Sequence, residues 1–243
     1  MKKVFLILFF LFFTSISAFA QDAGVYIDKA ISAIENNDLK SARENFQYAM
    51  NLDDEIKNSP ELNFYYAKLL ELEGDYDSAL QKMLFAIELN TDNPAYYLEL
   101  GKIYLYKNDY LKAVNALQYA LSDNKNMNAE VYNYLGIANY RRSDIKTALD
   151  NFEHADEINP NNILYMTNLL FCYKGLKMDE KAKETMDRID NFKPITQKDF
   201  IALSRVFYER KNYDECKKIL KDGIKQFPNS EILKDLYNKL NKS

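Results

Sequence analysis

The chain has 243 residues, with 32 lysines and arginines against 36 aspartates and glutamates and a formal net charge of −4. That mildly acidic, interspersed balance argues against a nucleic-acid binder and against a generally basic membrane-binding surface. One histidine, two cysteines and six scattered glycines leave no histidine-based nucleophile pair and no glycine-rich phosphate loop.

The chain opens with Lys2 and Lys3, an unbroken apolar run from Val4 to Phe13, and a small, polar stretch that ends Ala18-Phe19-Ala20. This is the layout of a secretory signal peptide, residues 1–20, cleaved before Gln21. A retained membrane anchor is the weaker reading, because a spanning helix needs roughly 20 apolar residues. No cysteine stands near the cut to carry a lipid. Cleavage removes two lysines, leaving 30 basic against 36 acidic side chains. The expectation is an exported protein, periplasmic or secreted, with no integral membrane span once the signal is cleaved.

From residue 23 onward a small residue returns at a fixed interval. Ala42, Ala79, Ala113, Ala148, Ala182 and Cys216 are separated by 37, 34, 35, 34 and 34 residues. Such a period marks stacked copies of one supersecondary unit. Units fall near 23–56, 60–93, 94–127, 129–162, 163–196 and 197–229, and all five prolines (Pro60, Pro94, Pro160, Pro194, Pro228) lie at their borders. Proline is accepted in a first helical turn or after a helix end, not inside a helix. Within each unit two helical periods flank a polar turn: Asn36-Asn37-Asp38, Glu73-Gly74-Asp75, Lys107-Asn108-Asp109, Arg142-Ser143-Asp144 and Arg210-Lys211-Asn212. Gly or Asn suits a left-handed helix end, and Asp or Asn caps the next helix. The fifth unit departs with Leu176-Lys177-Met178-Asp179.

Second helices carry small–large–small triplets on one face, such as Ala42/Phe46/Ala49, Ala113/Leu117/Ala120 and Ala148/Phe152/Ala155. First helices supply Tyr97/Leu100/Gly101/Tyr104 and Tyr132/Leu135/Gly136. Glycine costs helix propensity, so Gly101 and Gly136 imply close helix contact. After Ser230, residues 230–242 read as an amphipathic last helix with Ile232, Leu233, Leu236, Tyr237 and Leu240 on its apolar face, the cap that a stacked array needs. Cys172 and Cys216 fall at inward-facing places in different units and read as buried free thiols, with oxidation in an exported chain as the lesser alternative.

Tyr97-x-x-Leu100-Gly101-x-x-Tyr104 followed by Tyr110-x-x-Ala113, together with the fourth unit closed by Pro160, resembles the tetratricopeptide repeat family. The resemblance spans about residues 23–229 and is loosest in the first unit, where Lys29 and Ala30 replace the usual Leu-Gly. It implies an all-α fold: a right-handed α-solenoid of about six helix-turn-helix repeats plus a C-terminal capping helix, with first helices lining the concave side. The family's lysine-rich carboxylate clamp is not expected, since Ile27, Phe64, Leu98 and Ile201 stand at the lysine places.

One helical face away from the packing stripe, the first helices present Ile27, Ile31 and Ile34; Phe64, Lys68 and Glu71; Leu98, Lys102, Leu105 and Tyr106; Asn133, Ile137, Tyr140 and Arg141; Thr167, Phe171 and Lys174; and Ile201, Arg205 and Tyr208. Ile31, Phe64, Lys68, Leu98, Lys102, Tyr106, Asn133, Tyr140, Arg141, Phe171, Lys174, Arg205 and Tyr208 are the partner-binding candidates. An apolar, aromatic stripe with basic residues suits an acidic amphipathic segment of a protein or peptide. The plainer alternative is packing between neighbouring first helices. His154 reads as a surface residue and the abundant carboxylates as solvated pairs, so neither a catalytic site, a metal nor a cofactor is expected. The primary expectation is therefore an exported scaffold, in envelope assembly by analogy. The alternative is a self-associating structural protein, a homodimer formed through Ile27, Ile31 and Ile34 of the first repeat.

Overall fold

In the computed structural model, which describes residues 23–121 and 125–242, the chain divides near residue 122 into two compact units. The expected signal peptide, residues 1–20, lies outside the described residues. The first unit pairs α1 (23–35) with α2 (Leu39–Leu52), α3 (Pro60–Leu72) with α4 (Tyr76–Leu89) and α5 (Pro94–Tyr106) with α6 (Tyr110–Tyr119). The second pairs α7 (Lys125–Arg141) with α8 (Ile145–Ile158), α9 (Ile163–Gly175) with α10 (Asp179–Asp190) and α11 (Gln197–Glu209) with α12 (Tyr213–Gln226), and closes on α13 (Glu231–Lys242). The described regular structure is all helical, and no described helix is long and apolar enough to cross a membrane. The first helix of the fourth pair, α7, runs from Lys125, in a stretch free of glycine and proline.

Helix starts follow their capping chemistry. Ser59 and Asn93 cap α3 and α5 with Pro60 and Pro94 in the first turn. Thr196 and Asp199 form a reciprocal capping box on α11. Asp38, Asp75, Asp109, Asp144 and Asn212 accept from backbone N–H groups at the starts of α2, α4, α6, α8 and α12. Met178 occupies this place before α10 and supplies no side-chain bond.

All six intra-pair turns share one geometry. Asn37, Gly74, Asn108, Ser143, Lys177 and Lys211 take the left-handed conformation, with φ between 57° and 82°. The following N–H reaches back five residues in each case, as from Asp38 to Ala33, Met178 to Tyr173 and Asn212 to Phe207. This is the Schellman closure of a helix end. The divergent fifth turn is no exception, so its backbone is set by the helices it joins and not by its side chains.

The recurring small residues are all buried: Ala42, Ala79, Ala113 and Ala148 completely, Ala182 and Cys216 nearly so. The helices of a pair interlock between positions sixteen residues apart. A Cβ added at Gly101 would lie 2.5 Å from Leu117 Cγ, and one at Gly136 would lie 2.4 Å from Phe152 Cε1. Ala30 and Phe46 share one apolar cluster, Ala67 and Met83 another, and both alanines are fully buried. Both thiols are free and buried, and burial holds Cys172 up at about 11 and raises Cys216.

Two stability predictions follow from this geometry. Ser143→Gly or Lys211→Gly should each stabilise the protein by about 0.5–1 kcal/mol, since an L side chain is strained where glycine is not; urea unfolding measures the gain. Gly136→Ala should destabilise by about 1–3 kcal/mol through collision with Phe152, more than the helix-propensity gain of about 1 kcal/mol returns. Adding Phe152→Leu should recover part of that loss in the same assay.

Candidate functional site

The packing stripe turns one face of each first helix toward its second helix, leaving an adjacent face to meet solvent or a neighbouring pair. The thirteen candidates on that face separate into three environments. Leu98 and Asn133 are buried, contrary to their expected place on a surface, because each lies on the edge of its helix that packs inward. Asn133 accepts from Asn168 Nδ2 at 2.7 Å, joining α7 to α9. Ile31, Phe64, Lys68 and Lys102 are half-buried, and Tyr106, Tyr140, Arg141, Phe171, Lys174, Arg205 and Tyr208 are exposed.

In the first unit this face is largely self-satisfied. Ile31 packs with Ile34 onto the cluster that contains Ile27 and Phe46. Phe64 stacks on Tyr96 at 4.8 Å, and Lys68 Nζ stands 5.5 Å from the Phe64 ring centre and 5.6 Å from that of Tyr65, a distance at which ring and ammonium attract. Tyr106, 52% exposed, stacks almost parallel on Tyr76. Lys102 Nζ donates to both Glu99 oxygens at 2.9 and 3.0 Å and lies 3.8 Å from Glu71. The expectation that carboxylates sit on solvated positions fails here: Glu99 is 5% exposed, and the Glu71 side chain 8%. Burial first, then the hydrogen bond and charge of Glu99, push the Glu71 carboxyl up to about 9. Glu99, between Leu98 and Leu100 and three residues before Lys102, carried the sequence signal of a buried, paired acid.

The second unit is different. A cavity of about 370 Å³ opens between α7 and α9, lined by Ile137, Tyr140, Arg141, Phe152, Asn168 and Phe171. Another, of about 270 Å³, opens between α11, α12 and α13, with Arg205, Tyr208, Glu209, Leu220, Leu236 and Lys239 among its walls. The two sets correspond residue for residue at an offset of 68 positions, so both cavities occupy one structural place two repeats apart. In the second cavity α13 stands where a further first helix would stand. Leu236, Lys239, Leu240 and Glu209 were not among the sequence candidates, although the 34-residue register that yields Arg205 from Phe171 also yields Lys239 from Arg205.

Charge distinguishes these cavities from the first unit. Arg141, Lys174 and Arg205 make no ion pair among the described residues, whereas Lys239 is held by Asp235 at 2.7 Å. Glu209 on the wall of the second cavity is the opposing carboxylate. The surface thus offers apolar, partly aromatic recesses beside unsatisfied cations. His154 is exposed on α8, with its ring 5.1 Å from that of Tyr132 and its Nδ1 3.4 Å from Glu157.

Comparison with known proteins places the helix-pair arrangement in a wider setting. A family model described as tetratricopeptide repeat matches residues 27–94 and 98–163, more than half of the chain. The uncharacterised protein ycf37 of Pyropia yezoensis is 28% identical over 118 residues, 43% of this chain and 66% of that protein. The BBSome complex member BBS4 of Bos taurus is 25% identical over 190 residues, 78% of this chain and 36% of that protein. The chain therefore spans about two thirds of one curated relative and about one third of the other. Among solved structures, PilF of Pseudomonas aeruginosa superposes with a TM-score of 0.65 at 14% identity, covering 93% of this chain and 99% of that one; at that identity the likeness is one of fold.

Phe171 is 43% exposed and borders a recess, while Phe152 is buried against Gly136. Phe171→Ala should therefore cost less than about 1 kcal/mol in urea unfolding, and Phe152→Ala about 3–5 kcal/mol.

Proposed function

Since the chain belongs to the tetratricopeptide repeat family, whose helix pairs serve as scaffolds for protein–protein interaction, we propose that it is a non-enzymatic scaffold that binds an acidic segment of a protein or peptide through the first-helix face of its second unit. One observation carries this reading: two open cavities coincide with cations of the same face that make no ion pair among the described residues, Arg141 at the first and Arg205 at the second, with Lys174 on the intervening helix. Apolar side chains of the partner fill the recesses, and its carboxylates meet the guanidinium and ammonium groups. Lys102, expected from sequence to contribute, is engaged with Glu99 and Glu71, so the electrostatic part of recognition is assigned to the second unit.

The place of action proposed is outside the cytoplasm. It rests on the basic start, the Val4–Phe13 apolar run and the Ala18-Phe19-Ala20 ending, and it makes assembly of a cell-envelope complex the favoured setting. Self-association through the first repeat ranks second, because Ile27 is buried and Ile31 and Ile34 already pack onto their own cluster.

A photo-reactive residue at position 171 of the full chain, expressed in its own cells, identifies the contacted protein by mass spectrometry. Against that partner, Arg141→Glu with Arg205→Glu should weaken binding at least about tenfold at low salt, with a smaller difference at high salt. Unchanged affinity in the double variant would reject the electrostatic reading. Mass spectrometry of the exported protein should find it beginning at Gln21; a chain that retains residues 1–20 would reject the export assignment.

A further inference from the structure

We propose that Glu71 and Glu99 hold a single proton between them at neutral pH, and that this proton staples α3 to α5, so that the first unit loosens as the medium turns alkaline. Two carboxylates and one ammonium are gathered where α3 and α5 pack together. Lys102 Nζ is committed to Glu99, with hydrogen bonds of 2.9 and 3.0 Å to its two oxygens, and reaches Glu71 only at 3.8 Å. Glu71 Oε2 is fully buried and accepts a hydrogen bond from no donor. A buried carboxylate oxygen without a donor is costly, and a second carboxylate within hydrogen-bonding reach makes it costlier.

A proton on Glu71 removes both costs. The protonated Oε2 donates to the Glu99 carboxylate, and the Glu99 charge stays matched by Lys102. The reverse assignment leaves Lys102 facing a neutral acid at its nearest contact, so the proton resides on Glu71. The surrounding charges agree. On α3, Lys68 lies over the Phe64 and Tyr65 rings and adds only weak attraction. On α5, Tyr106 stands near the pair and is itself raised by burial and by Glu71; on α4, Tyr76 stacks on Tyr106. On α2, Arg43 is engaged with Glu73 and Tyr66.

The sign follows from linkage. Glu71 is raised on folding, so the folded state holds a proton that the unfolded chain releases. Its contribution is complete below the ordinary glutamate range and is lost as the pH climbs toward about 9. Glu99 is lowered and stays ionised across that window.

Thermal unfolding of the full chain from about pH 5 to about pH 9 tests this, with Glu71→Gln and Glu99→Gln alongside. The midpoint of the parent should fall with pH by an amount absent from Glu71→Gln, whose amide donates to Glu99 at every pH. At the alkaline end Glu71→Gln should unfold at a higher temperature than the parent, and Glu99→Gln below Glu71→Gln throughout. A Glu71→Gln curve parallel to the parent, or a loss equal to that of Glu99→Gln, would overturn the proposal. Carboxyl carbon NMR of the parent, assigned by the Glu71→Gln spectrum, gives a readout independent of stability. One glutamate should titrate above pH 7 and be missing from the Glu71→Gln spectrum; if every glutamate titrates in the ordinary range, no shared proton exists.

Discussion

Everything in this molecule hangs on one steric interlock: the two helices of a pair approach so closely that one residue must be small where the other is large. Gly136 faces the ring of Phe152 and Gly101 faces Leu117, each leaving no room for a Cβ. The same offset of sixteen residues sets Ala30 with Phe46, Ala67 with Met83 and Ser204 with Leu220, all buried. The fifth pair is the exception: Leu170 and Met186 stand sixteen residues apart, large on both sides, with Leu170 buried and Met186 only half-buried against the same cluster. The fully buried places of α10 are instead Ala182, Thr185 and Ile189. The turn that follows is correspondingly indifferent to its own residues: Lys177 takes the left-handed conformation that Gly74 takes elsewhere.

The interlock also decides where recesses can open. With one face of every first helix committed to its partner, the adjacent face is left to border the next first helix, and recesses open there when the bordering side chains do not fill the gap. In the second unit they do not, once between α7 and α9 and again where α13 takes the place of a first helix. The closing helix thus does more than cover an apolar end, since Leu236 and Lys239 make a wall of the second recess.

Charge then distinguishes the two units. On the first-helix face of the first, Glu71 and Glu99 are buried around Lys102, whose ammonium bonds to Glu99, and burial raises the Glu71 carboxyl. On the second, Arg141, Lys174 and Arg205 lie in solvent without an ion pair among the described residues. A low-dielectric setting magnifies unpaired charge, so buried clusters must close upon themselves, whereas water solvates exposed cations that have no ion pair.

The period, the turns, the capping residues and the need for glycine at 101 and 136 were all legible in the linear sequence, because each reflects local geometry: helical spacing, left-handed backbone, side-chain capping and the absence of a Cβ. The exposed half of the candidate face was legible too, from Tyr106, Tyr140, Phe171, Arg205 and Tyr208, since a fixed helical offset assigns each a direction. Depth was not. Whether Leu98 and Asn133 lie inside, whether Glu99 is dry, and whether Lys102 is free or taken depend on how near a neighbouring helix comes, a distance that helical spacing does not encode. Spacing along the chain determined the helices and the order of their faces; only the packing of one helix against another decided which charges were matched in the interior and which were left exposed.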